Sequence, residues 1–449
     1  MTEHEGQGDT EHGALPKDAP ASMSRRRMLI GSAAVGAALL VGSNPRVFAA
    51  DADKEIRIGF ISPRSGPLGI FGHADPYILE LARKHYANGV TLGGQHYRVT
   101  ILDRDSQSSP SRASQLAQEL ITKHDIQLML TTSAPETVNP VSDACEAAGV
   151  PSLGTVCPLE SFFFGRGGKL GQPSPFKWAF DFSFGVEQFV NMYLSEWGQL
   201  KTNRKVGVLY PNDADGTAFR EHVEPIFEKN GYKVIDPGPY QDGTTDYASA
   251  IAMFNRENCQ IFNTAPIPPD FTTFWRQAAQ LHYTNKVIIA ELAKTGIFPG
   301  QVTPLGVLGY NLTSGAYWSP VFPYKSLLNG MSSKQLADDY EHASGRQWTQ
   351  QLGATMSLFD LARTVLERAK DPMNRSALRD VIPALDVETV AGRVNFRKGP
   401  YPNTATTLQI GAQWIKTPAG SKFPVDFVTV EHVGDPNVPI QAKLKPYNS

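Results

Sequence analysis

The chain has 449 residues, with 42 Lys and Arg against 44 Asp and Glu, a net charge of −2, and 41% hydrophobic residues. That length fits two or three domains with sizeable cores, and the near-neutral charge leaves no footprint for nucleic acid or an anionic membrane surface. A mean hydropathy of −0.27 argues against a polytopic membrane protein, and three cysteines exclude both a disulfide framework and a four-thiolate zinc site.

The first informative stretch is Ser24-Arg25-Arg26-Arg27-Met28-Leu29, followed by a weakly apolar run that ends at Gly42. The run is too short, and its residues too small, for a bilayer core of about 30 Å. A basic segment, an apolar segment and then small residues near Val47-Phe48-Ala49 or Ala50-Asp51-Ala52 read as an export signal. The hydroxyl before the paired arginines, with Met-Leu after them, resembles a Tat signal, and Arg46 ahead of the cleavage site suits that route. No cysteine follows to carry a lipid. Residues 1–49 are therefore expected to form a Tat-type signal peptide, and the mature protein to be periplasmic.

From Lys54 onward, short apolar runs alternate with amphipathic ones. Strands are expected at 55–61, 97–103, 127–132, 150–157 and 176–181, and helices at 71–88, 111–123 and 136–147. The pattern then restarts, with helices at 186–197, 217–229, 247–255 and 271–281 and strands at 205–210, 232–236, 259–264 and 286–290. A Gly/Pro-rich stretch (299–324) leads to helices at 332–343, 350–369 and 375–382, and residues 394–430 read as antiparallel and turn-rich. Serial βα alternation, twice over, means two doubly wound α/β lobes. Ligands of such sheets bind outside the carboxyl ends of the strands. This directs attention to the loops 62–72, 104–110, 133–137, 155–161, 211–216, 265–270 and 291–296.

Catalytic signatures are missing. Gly165-Arg166-Gly167-Gly168-Lys169 lacks the spacing and the Ser or Thr of a phosphate loop and reads as a surface turn. No G-x-S-x-G, H-E-x-x-H or C-x-x-C occurs. Asp103, Asp105, Asp213 and Asp215 stand at strand ends, where helix capping is the expected role. Cys145 and Cys157 read as small buried hydrophobes in preference to a disulfide pair. The aromatic series Phe162, Phe163, Phe164, Phe176, Trp178, Phe180, Phe182 and Phe184 reads as core alternation, with an aromatic cleft wall as the alternative.

Ile58-Gly59-Phe60-Ile61-Ser62-Pro63-Arg64-Ser65-Gly66-Pro67-Leu68-Gly69, followed by Phe71-Gly72, resembles the opening of type I periplasmic binding proteins of the branched-chain amino acid (Leu/Ile/Val) ABC transporter family. Asp103 to Pro110, Tyr210-Pro211-Asn212-Asp213-Ala214-Asp215-Gly216 and Val387 to Phe396 resemble later segments of that family, in order. The resemblance implies two Rossmann-like lobes joined by three crossovers, with lobe 1 at 54–182 plus 325–391 and lobe 2 at 183–324 plus 392–449. It also implies a monomeric, non-catalytic receptor without cofactor. Such a receptor closes on a branched-chain amino acid, a related amide or an aromatic carboxylate and delivers it to the permease subunits of an ABC importer. An exported sensor feeding a signalling partner is the alternative. The ligand-binding residues so implied are Ser65, Phe71, Ser133, Ala134, Glu136, Thr155, Cys157, Asp215, Ile267 and Glu291, with Glu291 set to take a ligand ammonium. The chain departs from the family where carboxylate-holding hydroxyls are expected, at Pro135 and Pro158, and where Asp215 replaces an aromatic. Ser133 and Thr155 are the substitutes at hand.

Overall fold

The computed structural model describes residues 54–449, so the expected signal peptide lies outside the described residues. In the first half of the chain the strands are β1 (Lys54–Ser62), β2 (Val90–Leu92), β3 (Gln95–Asp105), β4 (Leu128–Thr132), β5 (Ser152–Thr155) and β6 (Ala179–Ser183). They are followed by β7 (Lys205–Leu209), β8 (Lys233–Ile235), β9 (Ile261–Thr264), β10 (Ile289–Leu292) and β11 (Thr313–Ala316). The C-terminal part adds β12 (Asp386–Thr389), β13 (Gly392–Asn395), β14 (Thr404–Thr406), β15 (Ile410–Lys416) and β16 (Val425–Thr429). Among the described residues these build one sheet in the order β14-β6-β5-β4-β1-β3-β2, a second in the order β16-β15-β11-β10-β9-β7-β8, and a β12-β13 ribbon.

Burial on both faces explains the composition of the central strands. In β1, held between β3 and β4, Ile56, Ile58, Phe60 and Ile61 are all fully buried. The helices begin where local chemistry supplies a cap. The Ser109 hydroxyl accepts from Arg112 N at 3.3 Å and Pro110 opens the helix Pro110–Thr122. Ser332 and Gln335 form a capping box on the helix Ser333–Ser344. The helix Pro135–Ala148 stops at Gly149, whose φ of 67° is the left-handed conformation that glycine adopts freely.

The long helix Gln351–Arg368 returns to the first sheet. Phe359 stacks on Phe60 with ring centres 5.9 Å apart, Thr355 Oγ1 donates to Asp75 Oδ1 at 2.7 Å, and Gln351 Nε2 donates to Thr132 Oγ1 at 2.8 Å. The chain thus crosses between lobes three times: after β6, after β11 and after β14. The expected boundary at 391 falls too early, because β14 still pairs in parallel with β6 of the first sheet.

Among the elements that escaped the sequence reading are β2, β12, the helix Leu159–Phe163 and β11, a four-residue strand inside the Gly/Pro-rich stretch. The capping role holds for Asp213, which accepts from Gly216 N at 2.6 Å. It fails for Asp103, which pairs with Arg64 and Arg83, and for Asp105, which accepts from Arg64 N and the Ser65 hydroxyl. All three cysteines are free and buried.

Asp75 supplies a test of this packing. Burial pushes its carboxyl up to about 7 against the opposing hydrogen bond from Thr355. An acid whose folded pKa is raised stabilises the fold fully below its unfolded value of 3.8 and loses that contribution as pH rises to about 7. Urea titrations from pH 4 to 8 should show wild type losing up to about 1.4 kcal/mol per pH unit relative to Asp75→Asn within that window. Parallel pH profiles would contradict the assignment.

Candidate functional site

Between the lobes lies a cavity with about 450 Å³ of atom-free space, open solvent at its mouth included. Its first-lobe wall comes from the strand exits: Phe71 beyond β1, Ala134 beyond β4, and Val156 and Pro158 beyond β5. Three non-glycine residues there hold left-handed backbone, Ser133 (φ 79°), Ala134 (φ 69°) and Val156 (φ 56°). Such strain persists only where surrounding bonds hold it. Here Ala134 N donates to Val156 O at 2.8 Å and Ser133 N to Thr155 O at 3.2 Å, tying the two exits together.

The second lobe contributes Asp215, Phe219, Ala265, Ala293, Lys294 and Ile297, again from strand exits and the turns after them. Each crossing segment adds one residue to the back wall: Phe184 after β6, Tyr317 after β11 and Gln409 after β14. Phe184 stacks on Tyr317 with ring centres 5.4 Å apart and meets Phe189 edge-on at 5.1 Å, and Phe189 meets Phe219 at 5.1 Å. The aromatic segment therefore divides. Phe162, Phe163 and Phe176 form a satellite core, Phe180 and Phe182 join the main core, and Phe184 faces the cavity.

Lys294 closes the front. Its Nζ lies 2.5 Å from Glu136 Oε1 of the first lobe, 3.0 Å from Asp213 Oδ2 and 3.1 Å from Asp215 Oδ2 of the second, with its side chain only 5% exposed. Burial alone would lower the lysine pKa, but Asp213, Glu136 and Asp215 outweigh it and hold the group well above its usual range. Asp215 is pushed up to about 6, chiefly by burial, with Lys294 opposing and Asp213 and Glu136 adding to the rise. A second bond ties the lobes: the Ser161 hydroxyl donates to Asp215 Oδ1 at 2.7 Å. Nearby, Phe164 packs on His222 at 5.2 Å.

Of the residues expected at the site, Phe71, Ala134 and Asp215 line the cavity and Glu136 reaches it through Lys294. The others point elsewhere. Ser65 is exposed and bonds to Asp105, and the Thr155 hydroxyl donates to Phe182 O at 2.7 Å. Ser133 is buried beside Thr132, and Cys157 sits in the satellite core with Sγ 3.6 Å from Asn139. Ile267 is half-buried at the start of the helix Pro268–Gln280. Glu291 is buried on β10, accepting from Thr313 Oγ1 at 2.9 Å, and takes no part in the cavity wall. Sequence reasoning missed Lys294, Phe189, Phe219, Tyr317 and Gln409. Only Lys294 carried a signal, as a lone cation in a strand-exit loop opposite the Asp213–Asp215 loop.

Comparison with known proteins shows the family and the fold. The family profile described as periplasmic binding protein matches residues 55–411, and the chain belongs to that family. It is similar to the Leu/Ile/Val-binding protein homolog 8 of Brucella abortus (strain 2308), with 24% identity over 392 residues, 85% of this chain and 93% of that protein. Among solved structures, leucine binding protein LivK of Thermotoga maritima MSB8 shares the fold with a TM-score of 0.68 at 16% identity, covering 85% of this chain and 99% of that one. A solute binding protein of an ABC transporter from R. palustris, in complex with 4-hydroxybenzoate, also has a TM-score of 0.68, at 17% identity, covering 86% and 99%. Family and fold together make the chain a two-lobed solute-binding protein of the periplasmic binding protein type.

Lys294→Met leaves Glu136, Asp213 and Asp215 facing one another without a counter-charge. The closed form should lose about 3–5 kcal/mol, as when one partner of a buried ion pair is removed. Small-angle scattering should report a larger radius of gyration than for wild type. An unchanged profile would remove Lys294 from the closure.

Proposed function

We propose that this receptor closes on a small solute with a compact apolar or aromatic body and hands it to the permease subunits of an importer. The observation that carries the reading is the cavity wall itself: Phe71, Phe184, Phe189, Phe219, Ile297 and Tyr317 surround a space in which polar side chains are few. Small-ligand sites of this make-up bind through apolar burial and orient the ligand with a few polar groups. The ligands of similar proteins share such a body. Leucine in the Thermotoga maritima name and 4-hydroxybenzoate in the R. palustris complex are both compact and largely apolar. A branched-chain amino acid, a related amide and an aromatic acid all meet the requirement.

Closure brings Lys294 against Glu136 only when the lobes meet, so ligand-driven hinge motion is the working cycle. We assign export to the Tat route on the Ser24-Arg25-Arg26 motif and take the receptor to act as a monomer.

Mass spectrometry of protein purified from its native host should find a small solute with an apolar body, and Phe184→Ala should weaken its binding by about 2 kcal/mol, roughly 30-fold, as for a buried aromatic anchor. Unchanged affinity in Phe184→Ala would displace the ligand from this cavity. Replacing Arg25 and Arg26 by Lys together should leave the precursor in the cytoplasm. Normal export of that variant would exclude the Tat assignment.

A further inference from the structure

Resting on the receptor reading above, the charge and hydrogen-bond inventory of the cavity narrows its ligand. Lys294 meets three carboxylates within 3.1 Å, so one positive charge stands against three negative ones. Its N–H groups donate to Glu136 Oε1 and Asp213 Oδ2, and Asp215 Oδ2 lies 3.1 Å away as a further charge partner. Backbone donors are equally scarce. Ser133 N, Ala134 N and Ala293 N are spent on Thr155 O, Val156 O and Thr264 O, and Pro135, Pro158 and Pro266 have no N–H. A ligand carboxylate would meet net negative charge at this end of the cavity.

Unfilled acceptor capacity lies on two side chains of the wall. Gln409, 2% exposed, presents its carboxamide to the cavity with a buried Oε1 that has no partner. Asp215 lines the same wall, and its carboxylate retains lone pairs beyond those engaged by Ser161 and Lys294. Around both stand the rings of Phe71, Phe184, Phe189 and Phe219, whose faces attract cations.

We propose that the cavity binds an amphiphilic organic cation, a protonated amine whose N–H groups donate to Asp215 and Gln409 while its apolar or aromatic body packs among the phenylalanines. The solute carries no carboxylate, which separates it from leucine and from 4-hydroxybenzoate.

The test uses mature protein freed of co-purified solute by unfolding and refolding, titrated at pH 7.5 with 2-phenylethylamine, benzamide, leucine and 4-hydroxybenzoate. Calorimetry and thermal melts should rank 2-phenylethylamine first, with a Tm that rises with its concentration by mass action. Asp215→Asn should weaken the amine at least tenfold, and Gln409→Leu, an independent variant, should weaken it several-fold. A preference for benzamide, leucine or 4-hydroxybenzoate would overturn the cation and leave the receptor standing. Silence from all four would overturn both readings. Equal amine affinity in wild type and in both variants would also overturn the proposal.

Discussion

A buried ammonium, that of Lys294, carries the electrostatics of the cleft between the lobes. Asp213 and Asp215 come from the exit of β7, Lys294 from the exit of β10, and Glu136 from the first turn of a first-lobe helix. Carboxylates in so dry a place are costly unless paired, and one buried cation serves all three. Without it, the second-lobe acids would repel Glu136 and hold the cleft open. Because it is a second-lobe residue reaching a first-lobe acid, its full set of partners exists only when the cleft is shut.

The opposite end of the cavity is built from the hinge. Phe184, Tyr317 and Gln409 lie one on each crossing segment, so the surface that a solute touches is also the chain that bends. Two crossings are bonded together, Thr407 N donating to Ser183 O at 2.8 Å, and Tyr317 N on the other donates to Gln350 Oε1 at 2.8 Å, just ahead of the helix Gln351–Arg368. Solute seated on Phe184 and Tyr317 therefore couples to the relative position of all three strands. A lobe surface remote from the hinge would lack that coupling.

Six of the seven loops singled out from strand periodicity contribute to the cavity or its latch, the exception being 104–110. Periodicity finds strand ends because burial on both faces makes parallel strands continuous in apolar residues. It is blind to which way a residue at the strand end faces. Glu291 and Lys294 are three positions apart, yet one lies inside the second lobe and the other in the cleft. The Glu291 carboxyl, pushed up to about 7 by burial, neighbours Glu196, whose oxygens are buried without partners and whose pKa burial also raises. Two carboxyls so placed are stable when they hold a proton between them. That is an interior polar pair, and a sequence pattern cannot distinguish it from a ligand-facing acid. The residues of the crossing segments were invisible for another reason: Tyr317 and Gln409 meet only through tertiary structure, on segments far apart in the chain.

The balance of closure follows from these parts. Buried ion clusters roughly break even once desolvation is counted, so the Lys294 latch gives the closed state its geometry more than its free energy. Shifting a two-state hinge from 1:99 to 99:1 takes about 5.5 kcal/mol of differential binding. Burying about 200 Å² of apolar ligand surface, the area of one aromatic group, supplies roughly 5 kcal/mol. The aromatic wall is thus large enough to drive closure with one small solute, and the latch is weak enough to release it. A stronger latch would shut the cleft empty, and a more polar wall would leave it open when filled.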